Sequence, residues 1–291
     1  VEPGNLQRQV LFDRADAEAR SPKAEAARAR LAEINDDVKV RALASDLRPS
    51  NAEALLIGER FGRPGVILDG TDNFETRFLL NDLCVKHGIP YVYAGVVGTR
   101  AMRAVFRPDG CCLRCVFDRP PAPGSQPTCE TAGVLAPAAA MIGAMQAAEA
   151  IKILVGANGA VARDLVEIDA WGGLLRSVDL SKSKDPDCPC CGRRRFEFLE
   201  GPDPEAAALC GRNAVQVMPG LGGPTTRMDM EALAGSLRGL GEVTRSAFMV
   251  RVALYDPAGV TVSVFRDGRA VIEGTEDPAR ARAIYARYVG A

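Results

Sequence analysis

Two cysteine pairs constrain this chain more than any other feature. Cys112-Leu113-Arg114-Cys115 and Cys188-Pro189-Cys190-Cys191 both have C-x2-C spacing. At that spacing both thiolates of a pair turn onto one ion, and two pairs complete a tetrahedral four-sulfur zinc site. Residues 116–187 separate the pairs, so the ligands do not form one local finger, and the metal must tie a late segment onto an earlier one. Disulfides or a redox dithiol are the competing reading. They fit less well, because nothing else in the chain has a secreted character. Each pair also lies beside turn residues suited to a metal knuckle: Pro108-Asp109-Gly110, and Pro186, Pro189 and Gly192.

The rest of the composition narrows the class. With 291 residues there is room for one large domain and a smaller one. A net charge of -1 gives no electrostatic footprint for nucleic acid or an anionic membrane. Nine cysteines, an odd number, with no signal peptide before them suit a reducing cytoplasm. The most apolar run, Ala132 to Ala148, is broken by Pro137 and Gln146 and followed by Glu149 and Lys152. A bilayer span needs about 20 apolar residues, so this run reads as a buried helix. The chain opens on Val1 and a polar segment through Gln9, with no strand before it, as expected of a piece of a longer polypeptide.

Patterning predicts strand and helix in alternation. Ser21-Pro22 is a hydroxyl N-cap followed by proline, and Ala24, Ala27, Leu31 and Ile34 recur at helical spacing. Val38, Val40 and Ala42 alternate as in a strand. A helix over 51–61, a buried strand over 66–68, a helix over 74–87, strands over 91–93 and 103–106 and a long helix near 134–155 follow. This order predicts a doubly wound, Rossmann-like α/β sheet. Residues 165–168 and 174–180 read as an antiparallel pair leading to the second cysteine pair. From about Glu205 a new pattern begins: strand 214–217, helix 230–240, strands 248–255, 260–265 and 270–273, and helix 278–288, with Asp267-Gly268 as a hairpin turn. This predicts a small α+β domain of ferredoxin-like kind.

Chemistry-bearing residues lie outside the cysteine pairs as well. Asp72 follows the 66–68 strand, at the carboxyl end where open α/β sheets bind ligands. With Asn73 and Arg77 it offers a carboxylate, an amide and a guanidinium within one turn of a helix start, a set able to hold Mg2+ on a polyphosphate. A plain helix N-cap explains an aspartate there equally well. Arg8 and Lys23, uninformative alone, complete a kit for nucleotide chemistry. Cys129, in a loop before a helix, has the setting of a nucleophile. The only histidine, His87, reads as a surface residue at a helix C-terminus, which argues against Ser/His or Cys/His hydrolysis. Cys84 reads as core, while Cys111, Cys190 and Cys210 have no assignable partner. Pro219-Gly220-Leu221-Gly222-Gly223-Pro224 reads as a linker turn rather than a phosphate loop.

Asn5-Leu6-Gln7-Arg8-Gln9, Ser21-Pro22-Lys23-Ala24, Thr71-Asp72-Asn73, the two cysteine pairs and Cys129-Glu130-Thr131-Ala132-Gly133-Val134, in that order, resemble the ThiF/MoeB/HesA family. These are bacterial relatives of the ubiquitin-activating enzymes. The resemblance covers residues 1 to about 200. It implies ATP- and Mg2+-dependent adenylylation of the C-terminal glycine of a ubiquitin-like sulfur carrier ending in Gly-Gly, for thiamine or molybdopterin biosynthesis. It also implies a homodimer, a structural Zn2+ on Cys112, Cys115, Cys188 and Cys191, and an external sulfur donor. By position, Asn5, Arg8 and Gln9 match nucleotide contacts, and Arg8 and Lys23 match the groups that stabilise leaving pyrophosphate. Asp72 matches the Mg2+ ligand, Asn73 a residue beside the nucleotide, and Cys129 the cysteine that forms a sulfur-linked intermediate.

There are departures. In the family a strand, a Gly-rich loop and an acidic ribose-binding residue precede the segment matching Val1-Glu2. Without that first βαβ part the chain alone is expected to be inactive. The expected division is an adenylyltransferase domain over 1–204 and a small domain over 205–291, the latter beyond the family's common core and without a rhodanese-type loop. The alternative function is a nucleotide-incompetent fragment or homologue that binds a carrier or partner. A nicotinamide-dependent dehydrogenase would need a G-x-G-x-x-G loop that the sequence does not contain.

Overall fold

The computed structural model describes residues 1–58, 62–121, 127–129, 131–203, 206–209, 213–218, 228–246 and 248–290. By proximity they form two units, Asp46–Asp203, and Val1–Ser45 with Pro204–Ala291.

The N-terminal segment begins with a 3-10 turn at Pro3–Asn5 and a short helix α1 (Arg14–Glu18). A reciprocal capping box fixes the start of α1: Asp13 accepts from the Asp16 amide at 3.0 Å, and Asp16 accepts from the Asp13 amide at 3.2 Å. Helix α2 (Lys23–Ile34) starts after Pro22, with no side-chain cap from Ser21. It buries only Ala26, and Ile34 at its end is exposed. The strand expected at 38–42 does not form; Val38 is 61% exposed. Three alternating residues without a neighbouring ladder do not make a strand.

In the unit 46–203, α3 (Pro49–Leu56) leads to β1 (Ile67–Leu68), α4 (Phe74–His87), β2 (Tyr91–Val97) and β3 (Arg100–Phe106). The short α5 (Leu113–Val116), long α6 (Ala136–Leu154), β4 (Asp164–Asp169) and β5 (Leu174–Asp179) follow. The strands lie in the order β1-β2-β3-β4-β5. Only β1 and β2 are parallel, and the other pairs are antiparallel. The chain turns straight back after β2 through Gly98, at φ +61°, instead of crossing over. Both sheet faces are nevertheless covered, as a doubly wound sheet requires. Tyr91 and Tyr93 of β2 point to a core with Phe78 and Leu83 of α4, while Ala94 points to Ala138 and Ile142 of α6. Burying such side chains stabilises the fold by about 1.5–3 kcal/mol each.

Helix α6 is not buried all round. Ala138, Ile142, Gln146, Glu149 and Ala150 face inward, whereas Ile151, Leu154 and Val155 are each more than 60% exposed. Among the described residues no helix is long and apolar enough to cross a membrane.

The C-terminal residues form β6 (Ala206–Leu209), β7 (Ala214–Val217), α7 (Met230–Leu237), β8 (Gly241–Arg245), β9 (Met249–Leu254), β10 (Thr261–Phe265), β11 (Ala270–Glu273) and α8 (Pro278–Tyr288). The sheet order is β6-β7-β11-β10-β9-β8, antiparallel throughout. This corrects the ferredoxin-like expectation: β8 to β11 are consecutive neighbours joined by turns too short for the crossovers of an interleaved βαββαβ sheet. The Asp267-Gly268 turn is present, with Gly268 at φ +84°. Helix α7 stops three residues before the expected Leu240. Gly241 begins β8 there, so close to β9 that a Cβ would fall 2.1 Å from the Ala253 carbonyl oxygen.

Candidate functional site

The four cysteines of the two pairs converge. Their Sγ atoms all lie within 4.8 Å of one another. Cys112 is 4.0 Å from Cys115 and 3.6 Å from Cys188, and Cys115 is 3.4 Å from Cys191. A tetrahedron with metal–sulfur bonds of about 2.3 Å has edges of about 3.8 Å, so the donor set fits a zinc-sized ion. Each knuckle is a tight backbone turn. The Cys115 amide donates to the Cys112 carbonyl at 3.0 Å, and the Gly192 and Arg193 amides donate to the Cys188 carbonyl at 3.0 and 2.8 Å. Gly192 is required there, because a Cβ would sit 2.1 Å from the Pro186 carbonyl oxygen. Hydrogen bonding between the crowded thiols pulls Cys112 far below the ordinary range and pushes Cys115 up to about 12. Four thiolates share so small a volume only around a positive charge.

Helix α4 reaches this cluster from the side. Asn81, 1% exposed, accepts from the Leu113 amide at 2.8 Å through Oδ1 and donates to Cys190 Sγ at 3.3 Å through Nδ2. Cys190, unassigned by sequence, is therefore a buried sulfur acceptor beside the cluster rather than one of its four ligands. Cys111 is buried in the same core, Cys84 is core as expected, and Cys210 lies outside the described residues, as does the 219–224 loop.

The other end of α4 builds the loop that carries Asp72. Asn73 is the N-cap, its Oδ1 accepting from the Thr76 amide at 2.8 Å. The capping role thus falls to Asn73, and Asp72 is an exposed carboxylate that nothing pairs with among the described residues. Arg77 is not part of an open trio: it is buried, donates to the Thr71 carbonyl at 2.8 Å and packs over the Phe74 and Tyr93 rings. Patterning missed the residue that organises this loop, Asp69. Its Oδ1 accepts from the Thr71 amide and hydroxyl at 2.8 and 2.6 Å, and its Oδ2 accepts from Tyr91 Oη at 2.6 Å. Arg77 Nε lies 3.6 Å from that second oxygen, too far for a hydrogen bond but close enough for charge neutralisation. Burial and the Asp69 carboxylate push the Tyr91 phenol well above its ordinary range. The available signal was an aspartate at the end of a buried strand, two residues before a hydroxyl able to close a turn on it.

Cys129 sits on the same end of the sheet. Its thiol donates to the Val96 carbonyl at 3.3 Å, beyond the end of β1. The following residues are stitched to the β2–β3 turn: the Gly98 amide donates to the Gly133 carbonyl at 2.9 Å, and the Leu135 amide to the Gly98 carbonyl at 2.8 Å. Helix α6 begins at Ala136. His87 is at the α4 C-terminus as expected, hydrogen-bonded to Glu53 at 2.7 Å.

Asn5, Arg8, Gln9 and Lys23 belong to the other unit. Asn5 is buried, and both its Oδ1 and the buried Oε1 of Gln9 lack a hydrogen-bond partner among the described residues. Buried unpaired amides are costly unless a ligand satisfies them. Arg8 donates to the Gly4 carbonyl at 3.0 Å, and Lys23 is exposed at the start of α2.

Comparison with known proteins accords with these features. The family model described as "ThiF family" matches residues 1–190. The chain is similar to the sulfur carrier protein ThiS adenylyltransferase of Bacillus subtilis, at 39% identity over 100% of this chain and 83% of that protein. It is also similar to the probable adenylyltransferase/sulfurtransferase MoeZ of Mycobacterium tuberculosis, at 38% identity over 65% of this chain and 47% of that protein. Among solved structures, E. coli MccB with AMPCPP and MccA matches with a TM-score of 0.53 at 21% identity. That match covers 66% of this chain and 56% of MccB, and it speaks to the fold alone. The match to the family model over well over half its length, joined to the Bacillus relative along all of it, shows that the chain belongs to the ThiF family.

Proposed function

We propose that the chain is an adenylyltransferase acting on the C-terminal glycine of a ubiquitin-like sulfur carrier in thiamine biosynthesis. The observation that carries this reading is the similarity to a ThiS adenylyltransferase from one end of the chain to the other, the C-terminal residues included. The MoeZ similarity, by contrast, covers 65% of the chain, which favours the thiamine branch over the molybdopterin one. The reading assigns residues 1–204 to the adenylyltransferase domain and 205–291 to a small accessory domain of a cytoplasmic homodimer.

In the reaction a carboxylate oxygen of the carrier's terminal glycine attacks the α-phosphorus of ATP. The bond to the pyrophosphate oxygen breaks, giving a carrier acyl-adenylate and pyrophosphate. Asn5, Gln9 and Asn73 contact the nucleotide, the first two through side-chain oxygens that have no partner among the described residues. Arg8 and Lys23 neutralise the departing pyrophosphate. Asp72, an exposed carboxylate that follows β1 and has no partner among the described residues, would hold Mg2+, which neutralises phosphate charge when bound. The Cys129 thiolate attacks the adenylated carbonyl carbon of the carrier and AMP leaves, giving a sulfur-linked thioester; sulfide-level sulfur from an external donor then displaces the Cys129 thiolate and leaves the carrier as a thiocarboxylate. Cys112, Cys115, Cys188 and Cys191 hold a structural Zn2+.

The test is ATP–pyrophosphate exchange with a carrier ending in Gly-Gly. It is run on the protein at its full natural length. Exchange dependent on the carrier and abolished by Asp72→Ala is expected. Carrier binding without any exchange would replace this reading by that of a nucleotide-incompetent carrier-binding module.

A further inference from the structure

Three polar side chains stand at successive i, i+4 positions along α4: the N-cap Asn73, whose bond is to the helix's own first turn, and Arg77 and Asn81, which bond to groups outside the helix. Asn73 closes the first turn, Arg77 donates to the Thr71 carbonyl, and Asn81 holds both cysteine knuckles at once. The Leu113 amide belongs to the first knuckle and Cys190 to the second. Asn81 is 1% exposed, so both of its bonds are made away from water. The next residue, Asp82, accepts from the Phe198 amide at 2.9 Å, beyond the second knuckle.

A rigid helix pinned midway along its length by the knuckles and at its N-terminus by the loop transmits displacement along its axis. It has no apolar surface in this stripe on which to slide without breaking a buried hydrogen bond. We propose that Asn81 is the positioning residue through which the cysteine cluster sets the Gly70–Asn73 loop. With the metal in place the two knuckles lie at one separation, Asn81 spans them, and α4 is fixed along its axis. Arg77 and Asn73 then hold the backbone that presents Asp72. Without the metal the knuckles separate, Asn81 follows one of them, and the loop loosens although none of its own residues touches the cluster. This inference rests on the zinc reading of the cluster, and its consequence for ATP rests on the proposed function.

The test uses the full chain and begins with zinc content. Hydrogen–deuterium exchange of the peptide spanning 69–77 is then compared with zinc bound and after chelation, in the wild type and in Asn81→Leu. In the wild type, chelation should accelerate exchange in this peptide at least tenfold. In Asn81→Leu with zinc still bound, exchange should already be at the chelated rate. Asn81→Asp keeps the acceptor for Leu113 and loses the donor to Cys190, so it should fall between and serves if the leucine variant does not fold. In the exchange assay, run on the same full-length protein as the test of the proposed function, the variants should raise KM for MgATP severalfold with kcat within twofold. Loop exchange indifferent to zinc overturns the inference, as does zinc-bound Asn81→Leu behaving like the zinc-bound wild type. Absence of zinc from the wild type overturns the metal reading together with it. A wild type that binds zinc and couples to the loop but exchanges no pyrophosphate refutes the function and leaves the coupling standing.

Discussion

Replacing Asp69 by asparagine removes one negative charge and one acceptor from the interior. The carboxylate is 1% exposed and accepts three hydrogen bonds of 2.6–2.8 Å. In Asp69→Asn the amide oxygen stays with Thr71, which supplies two donors, and the new NH2 group faces Tyr91 and Arg77. The tyrosine hydroxyl rotates to accept, so that bond survives in weaker form. Arg77 does not adapt: its guanidinium is buried and meets a donor in place of an anion. Removing one partner of a buried ion pair costs about 3–5 kcal/mol. Arg77 keeps its bond to the Thr71 carbonyl and its stacking on Phe74 and Tyr93, and cation–π contacts are worth about 0.5–2 kcal/mol. We therefore expect a loss of about 2–4 kcal/mol in urea unfolding followed by circular dichroism. Combining Asp69→Asn with Arg77→Met should cost less than the sum of the two alone, with a coupling of about 1–3 kcal/mol. A loss under about 1 kcal/mol, with additive single and double variants, would refute the view that this charge pair organises the loop.

Three further outcomes follow from the same geometry. Cys188→Ser should bring zinc content from about one per chain toward none and raise protease sensitivity across 165–200; full metal retention would remove Cys188 from the ligand set. Gly192→Ala forces a methyl group onto the Pro186 carbonyl and should speed zinc release to a chelator, whereas an unchanged rate would show that the knuckle has room. Glu53 is held below the usual carboxylate range by the hydrogen bond from His87. The stability it adds is therefore present above that range and fades as pH falls through its lowered folded-state value. Glu53→Gln should flatten that acid limb, and an unchanged stability–pH profile would contradict the linkage.

Where local chemistry dictates structure, the sequence was sufficient. Helix α4 runs from 74 to 87 as patterned, because Asn73 caps one end and Gly88, at φ +63°, the other. Helix α8 follows Asp277-Pro278 for the same reason. The cysteine ligands were legible because C-x2-C spacing carries its own geometry. Long-range pairing was not. Nothing local distinguishes a β2 that crosses over from one that turns back at Gly98, and β8 became a strand only because β9 offers it a ladder. The alternation at 38–42 found no such partner. In the candidate site, the place of Asp72 after a strand is legible in the sequence. The inward turn of Arg77 and the supporting role of Asp69 depend on Tyr91 and Tyr93, which reach the same spot from another strand.

The distance in sequence between the two cysteine pairs also sets an order of assembly. Either pair alone offers an ion two thiolates, and the other two arrive only after β3, α6, β4 and β5 have brought residue 188 back to residue 112. Closing so long a loop is entropically costly for an unfolded chain, so tight capture of the ion waits for the surrounding unit to fold. During synthesis residue 191 must clear the ribosome first. If the cluster takes up zinc as proposed, chelator-resistant metal would be a timestamp of completed folding in this unit, and its appearance during refolding should lag the secondary structure.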